Sequence, residues 1–309
     1  MPDFESIRDA KADLVLAHLH FAVLFDSIKN EAAITLEDDA TGDLSVPVTA
    51  ESAGIIEKAA GVSMTHEMDS TDIEGYGEAD PVRTIISKRS VKFEAKFLET
   101  NKTVLEKFWG TVFDDTNLDV SETGGVTIKA PSLPKNTFYR AYLVATDDVN
   151  GEDLYAYYVM PRVKLVNVAN QDSKDNDAVS FTLTFQAYRD AEVGFSVLQG
   201  WCGPGWRKLV HKTGFVAEPT AIEASPATLS LTAAAGSSHT GQISVAADNG
   251  INVTPDCSYS SSDTAKATVS ASGLVTGVAG GSATITVSYE LPDGSDATDT
   301  VSVTVTGAS

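Results

Sequence analysis

The chain changes composition at Glu218-Pro219-Thr220, and one folding plan does not account for both sides of that break. From residue 218 to the end, 30 of 92 residues are Ser or Thr, the aromatics are Tyr259 and Tyr289, and Lys266 is the only basic residue. The other 22 aromatics, all three tryptophans and 21 of the 22 basic residues come before it. Cutting 309 residues there leaves about 215 and about 90, both ordinary domain lengths. The expected organisation is two domains, 1–217 and 218–309, the smaller only modestly stable alone because short chains bury less of their surface.

Formal net charge is −21, made up of −13 before residue 218 and −8 after it. A surface this acidic repels phosphate, which argues against ordinary DNA or RNA binding. Cys202 and Cys257 fall on opposite sides of the break, so two reduced thiols are expected rather than a bridge. The first residues, MPDFESIRDA, lack the basic, apolar and small-residue regions of a secretory signal. The longest apolar run, Leu14 to Phe25, is interrupted by His18 and His20 and is too short to span a bilayer. The expectation is a protein made in a cytosol, with no membrane partner.

In the first domain Val91, Phe93, Ala95 and Phe97 alternate with Lys92, Glu94 and Lys96, the period of a half-buried strand. Similar strands are expected at Leu19 to Phe25, Phe138 to Val144, Leu154 to Met160 and Val179 to Ala187, separated by turns at Asp147 to Asp153 and Gln171 to Asp177. One helix is expected, capped by Thr100 or Asn101, with Val104, Leu105, Phe108 and Trp109 on one face and Gly110 as its left-handed stop. The fold class is therefore mainly β: a mostly antiparallel sandwich or barrel with one flanking helix. Thr41 to Asp80 is rich in Gly, Ser, Thr and acids and weakly periodic, and reads as a long loop of the kind that is functional or orders only on contact with a partner.

The run STDIEGYGEADPVRTIISKRSVKFEAKFLETNKTVLEKFWG, Ser70 to Gly110, resembles the core signature of major tail proteins of long, non-contractile-tailed bacteriophages. Its parts are the Gly- and acid-rich Gly75 to Asp80, Arg83 with the Val91 to Phe97 strand, and Glu99-Thr100-Asn101 leading to Trp109. Pro161-Arg162-Val163 opening a strand, the Val179 to Asp190 strand and turn, and Gly203-Pro204-Gly205-Trp206 follow in order, so the resemblance covers most of residues 10 to 215. It implies a tail-tube subunit of the virion, assembled in the host cytoplasm as hexameric rings stacked into a tube. It also implies partners in other copies of itself and in the tape-measure and tail-terminator proteins, with DNA passing through the lumen without sequence-specific binding. Asp69, Ser70, Asp72, Glu74, Tyr76, Glu78, Asp80 and Arg83 would then form an inter-ring assembly loop. Such heterologous contacts close into rings or run on into filaments, and an acidic lumen would let DNA slide without sticking.

In the second domain Ala221 to Ala224, Thr228 to Thr232, Gln242 to Ala246, Ala267 to Ser270, Ser282 to Tyr289 and Thr300 to Thr306 read as short strands with turn-punctuated spacing, a β-sandwich pattern. The segment SSSDTAKATVSASGLVTGVAGGSATITV, Ser260 to Val287, resembles the bacterial immunoglobulin-like group 2 (Big2) signature, with Tyr259 where a tryptophan is common. The resemblance covers nearly all of residues 219 to 307, and Leu274, Val275 and Val278 are expected to seal the core. On a tail tube such a domain would sit outside. It would either give weak, multivalent adhesion to host cell-surface glycans or coat the surface without a specific ligand.

Other motifs favour structural readings. Gly203-Pro204-Gly205-Trp206-Arg207-Lys208 lacks the spacing of a phosphate loop and reads as a turn seating Trp201 and Trp206. Asp172, Asp175 and Asp177 lack the central Gly and distal Glu of a calcium loop. His18 and His20 have no convincing third ligand. His66, His211 and His239 are isolated, which leaves a hydrolytic triad unsupported. No catalytic, cofactor-binding or metal site is expected. The functional reading is a structural virion protein rather than an enzyme; the alternative is a bacterial surface adhesin or carbohydrate-binding protein carrying a Big2 domain. The Pro-Thr junction is expected to let the second domain hang clear of the first.

Overall fold

The computed structural model describes residue 8 and residues 10–132, 137–149, 151–171, 175, 178–233 and 239–307. In the first unit the chain forms β1 (His20–Ser27), β2 (Glu51–Ser52), β3 (Val62–Glu74) and β4 (Pro81–Phe97). Helix α1 (Lys102–Phe108) and the small hairpin of β5 (Leu118–Val120) and β6 (Val126–Ile128) come next. They are followed by β7 (Tyr139–Val149), β8 (Glu152–Val168), β9 (Phe181–Ala187), β10 (Leu198–Cys202) and the one-turn helix α2 (Pro204–Arg207).

Apart from the β5–β6 hairpin, these strands make one antiparallel sheet in the order β2-β1-β7-β8-β9-β4-β3. The long β8 serves two neighbours on its other edge, β10 along Tyr155 to Val159 and β9 along Val163 to Val168. Pro161-Arg162-Val163 thus lies inside β8 and does not open a strand. The sheet curls until its two ends face each other. Phe25 of β1 comes within 4.9 Å of Phe185 on β9 and 6.4 Å of Phe93 on β4, ring centre to ring centre. Among the described residues a single bridge, Ile56 to Phe97, joins the segment after β2 to β4, and no continuous ladder closes a barrel.

The alternation in Val91 to Phe97 and Phe181 to Ala187 places Phe93, Ala95, Phe97, Phe181, Leu183 and Phe185 in this inner core. Residues 139–145 of β7 do not alternate, because both faces are covered. Tyr139, Ala141 and Leu143 point into the inner core, while Tyr142 and Val144 join Leu36, Tyr157 and Val159 in a second one. Arg140 ties the intervening loop down by donating to the carbonyls of Ile28, Asn30 and Pro161, and it lies 3.6 Å from Asp190.

Helix α1 starts as expected. Asn101 Oδ1 accepts the Val104 N–H at 2.9 Å, and Gly110 takes the left-handed φ of 63° that ends the turn. Its buried side is more polar than the sequence suggests. Val104 is packed, but so are Thr103, Glu106 and Lys107, whereas Trp109 is 41% exposed.

The second unit comprises β11 (Ile222–Ser225), β12 (Thr228–Thr232), β13 (Thr240–Gln242), β14 (Ser244–Ala247), β15 (Ser258–Ser261), β16 (Ala267–Val269), β17 (Leu274–Gly277), β18 (Gly281–Glu290) and β19 (Asp296–Thr306). A four-stranded sheet, β12-β19-β18-β15, faces β13-β17-β16 and β11-β14 across Ile243, Val275, Ile285, Val287, Val301 and Val303. Small β-branched residues fill this core, which is why it contains few aromatics. Val275 is buried as expected, but Leu274 and Val278 are 40% and 46% exposed and do not seal it. Cys202 and Cys257 are free, buried thiols.

Candidate assembly surface

Of the segment expected to be a loop, residues 41–61 are irregular apart from β2 and two isolated bridges, but from Val62 on it is half of a hairpin. Val62 to Glu74 pairs with β4 from Val62–Ala95 out to Glu74–Pro81, with register shifts at Asp69/Ser70 and Ile73/Glu74. Asp69, Ser70, Asp72 and Glu74 lie on β3, Tyr76, Glu78 and Asp80 form the tip, and Arg83 faces Ile73 from β4. The structure therefore gathers all eight residues into the outer part of one hairpin. The sequence hid the strand because its outer residues are exposed on both faces. With no buried side, no period-two signal arises.

Strand β4 shows the same division within one element. Its residues from Ser90 to Phe97 are largely buried, whereas Pro81 to Arg89 are all exposed. Met68, Val82 and Ile86 are 63–66% exposed, and Tyr76 stands fully in solvent at 112%. Polar cross-strand pairs hold the hairpin together: Thr84 Oγ1 donates to Asp72 at 2.6 Å, and Lys88 lies 3.7 Å from Asp69. At its base Lys92 and Ser90 donate to Glu67, and these hydrogen bonds hold the Glu67 carboxyl below its ordinary range.

A groove of about 620 Å³ opens where α1 ends beside the last residues of β8. Its walls include Phe108, Trp109, Leu165, Val166 and Val168, with Lys164 at its edge. Lys107 lies under this wall, its ammonium 4.7 Å from the centre of the Tyr139 ring and 3.7 Å from Glu106. Burial pushes the Lys107 ammonium down from its ordinary range, against the pull of Glu106 and Glu51. The Tyr139 hydroxyl is buried and makes no hydrogen bond of good geometry among the described residues; burial pushes its pKa up to about 12, against a weaker downward pull from the neighbouring Thr137 side chain.

The two units are docked rather than loosely strung. Arg207, at the end of α2, lies 3.0 Å from Asp256 of the second unit and donates to the Thr41 carbonyl at 3.0 Å. Asn252 reaches the Ala40 carbonyl at 3.4 Å and Asn249 reaches that of Ala217 at 2.9 Å. Pro219 is buried, so the junction does not hang clear. Gly203 makes α2 possible: its φ is 97°, and a Cβ there would meet the Asp153 carbonyl at 2.8 Å. Trp201 and Trp206 stack at 5.3 Å across this turn, the structural role read from the sequence.

Among the described residues no group of three His, Cys, Asp or Glu side chains is arranged to hold a metal ion. Asp172 and Asp177 lie outside the described residues. No helix is long and apolar enough to cross a membrane, again among the described residues.

Residues 220–305 match the family described as bacterial Ig-like domain (group 2), in agreement with the sandwich seen there. No curated protein matches the chain. Among solved structures, a chain of the six-fold symmetrised cryo-EM structure of the anti-feeding prophage (AFP) baseplate is similar at 12% identity. The likeness covers 60% of this chain and 93% of that one, with a TM-score of 0.30, too loose to carry an argument about fold or function.

Proposed function

We propose that this chain is a structural, non-catalytic virion protein: a tail-tube subunit that polymerises with copies of itself as stacked six-membered rings. In this reading the first unit builds the wall and the Ig-like unit is carried outside it. The observation that carries the proposal is the β3–β4 hairpin, whose outer half has no core on either face. A lone two-stranded ribbon is marginal in water, and exposed apolar groups such as Met68, Tyr76, Val82 and Ile86 on it need a partner surface. The resemblance of Ser70 to Gly110 to tail-tube proteins supports another copy of the chain as that partner. Tape-measure and terminator proteins would meet the ends of the tube, DNA would cross an acidic lumen, and no cofactor is needed.

Electron microscopy and light scattering of the concentrated protein test this. Rings or tubes with six-fold symmetry are the expected result. A protein that stays monomeric at high concentration overturns the reading. The Big2 match favours a second reading, a surface adhesin, and that one gains if the monomer binds cell-surface glycans instead.

A further inference from the structure

The hairpin tip has a counterpart on the same chain, at the other end of the sheet. Along β9, Ala187 is level with Val91, where the hairpin leaves the sheet, and Phe181 is level with Phe97, beside α1. The groove lies at this second end, where Phe108 packs edge-on against Phe181 at 5.1 Å. From Val91 to Pro81 the strand runs away from the groove for about 30 Å. A chain therefore does not seat its tip in its own groove, and only another copy can.

We propose that the Tyr76 tip of one copy docks in the α1–β8 groove of the next copy; this rests on the assembly reading above. Chemistry and shape agree. The tip carries Glu74, Glu78 and Asp80 around a fully exposed Tyr76. The groove offers Lys164, which has no ion-pair partner among the described residues, and exposed Trp109, Val166 and Val168 for a ring to lie against. The two surfaces differ, so the contact is heterologous. Each docking leaves one tip and one groove free, which extends a stack rather than closing a dimer.

Cysteine cross-linking of the full-length chain tests the contact. With Tyr76→Cys and Val166→Cys together, mild oxidation of assembled protein should give a ladder of covalent multimers. Either single variant should stop at dimers, and native Cys202 and Cys257 are buried away from it. Separately, Lys164→Glu should raise the concentration needed for polymerisation by about tenfold, and adding Glu78→Lys should recover most of it. The thermal midpoint of each monomer shows whether it is folded. If the wild type polymerises while no ladder forms and Lys164→Glu assembles normally, the groove is not the acceptor and the assembly reading survives. If the wild type never polymerises, both fall together.

Discussion

Arg207 Nε lies 3.0 Å from Asp256 Oδ2, and this contact joins helix α2 to the Ig-like unit. Both side chains are nearly buried, at 12% and 13% exposure, and the same guanidinium also holds the Thr41 carbonyl. Removing it leaves Asp256 partly desolvated without its cation. Arg207→Ala should weaken docking by about 2 kcal/mol, seen as a larger maximum dimension in small-angle scattering. An unchanged scattering profile would show that the other junction contacts suffice.

Replacing residues 70–86 by a two-residue turn should leave a folded monomer, because the outer hairpin contributes almost nothing to either core. Circular dichroism should stay strand-rich, with a midpoint within a few degrees of wild type by the usual relation between stability and melting. Polymerisation should be abolished. Tubes formed by this variant would remove the hairpin from the assembly contact.

A chain ending at Ala217 should still assemble if the Ig-like unit is only displayed. Its loss removes the Asp256 partner of Arg207 but no residue of the inner core. Negative-stain images of the truncated chain decide this, thinner tubes being the expected result.

Phe93 is fully buried and stacks on Phe185 at 5.0 Å with the rings 16° apart. Phe93→Ala should cost about 3–5 kcal/mol, and Asn101→Ala about 1 kcal/mol through loss of the helix cap. Denaturant titration of each variant, read by the tryptophans of the first unit, measures both. Equal losses would mean the aromatic cluster is not where that unit's stability resides.

Tyr139→Phe should stabilise the protein at neutral pH by about 1 kcal/mol, since it removes a buried hydroxyl that makes no hydrogen bond of good geometry among the described residues. The alkaline behaviour follows from the same burial. The folded chain keeps this phenol protonated up to a pKa of about 12, against an ordinary value of 10.0. Between those values the unfolded chain binds fewer protons, so the residue's contribution is full below pH 10 and is lost as pH rises towards 12. The phenylalanine variant lacks this loss, and its advantage should widen across that window. A gap that stays constant with pH would place the hydroxyl in solvent.

The Ig-like character of residues 220–305, the strand class of both halves, the helix cap and the turn that seats Trp201 and Trp206 were all legible in the sequence. Each depends on residues close along the chain, where one-sided burial imposes a period and caps and glycines act within a few positions. The β3–β4 hairpin was not legible as such, because Glu67 to Glu74 is exposed on both sides and carries no such period. Nor was the docking of the two units, set by Arg207 and Asp256, 49 residues apart, or the closure of a loop by Arg140 on Asn30, 110 residues away. The sequence by itself determined which segments are strands wherever a core lies on one side only. Tertiary structure alone decided which polar groups meet and which ribbon is left without a core, since those depend on where distant segments come to rest.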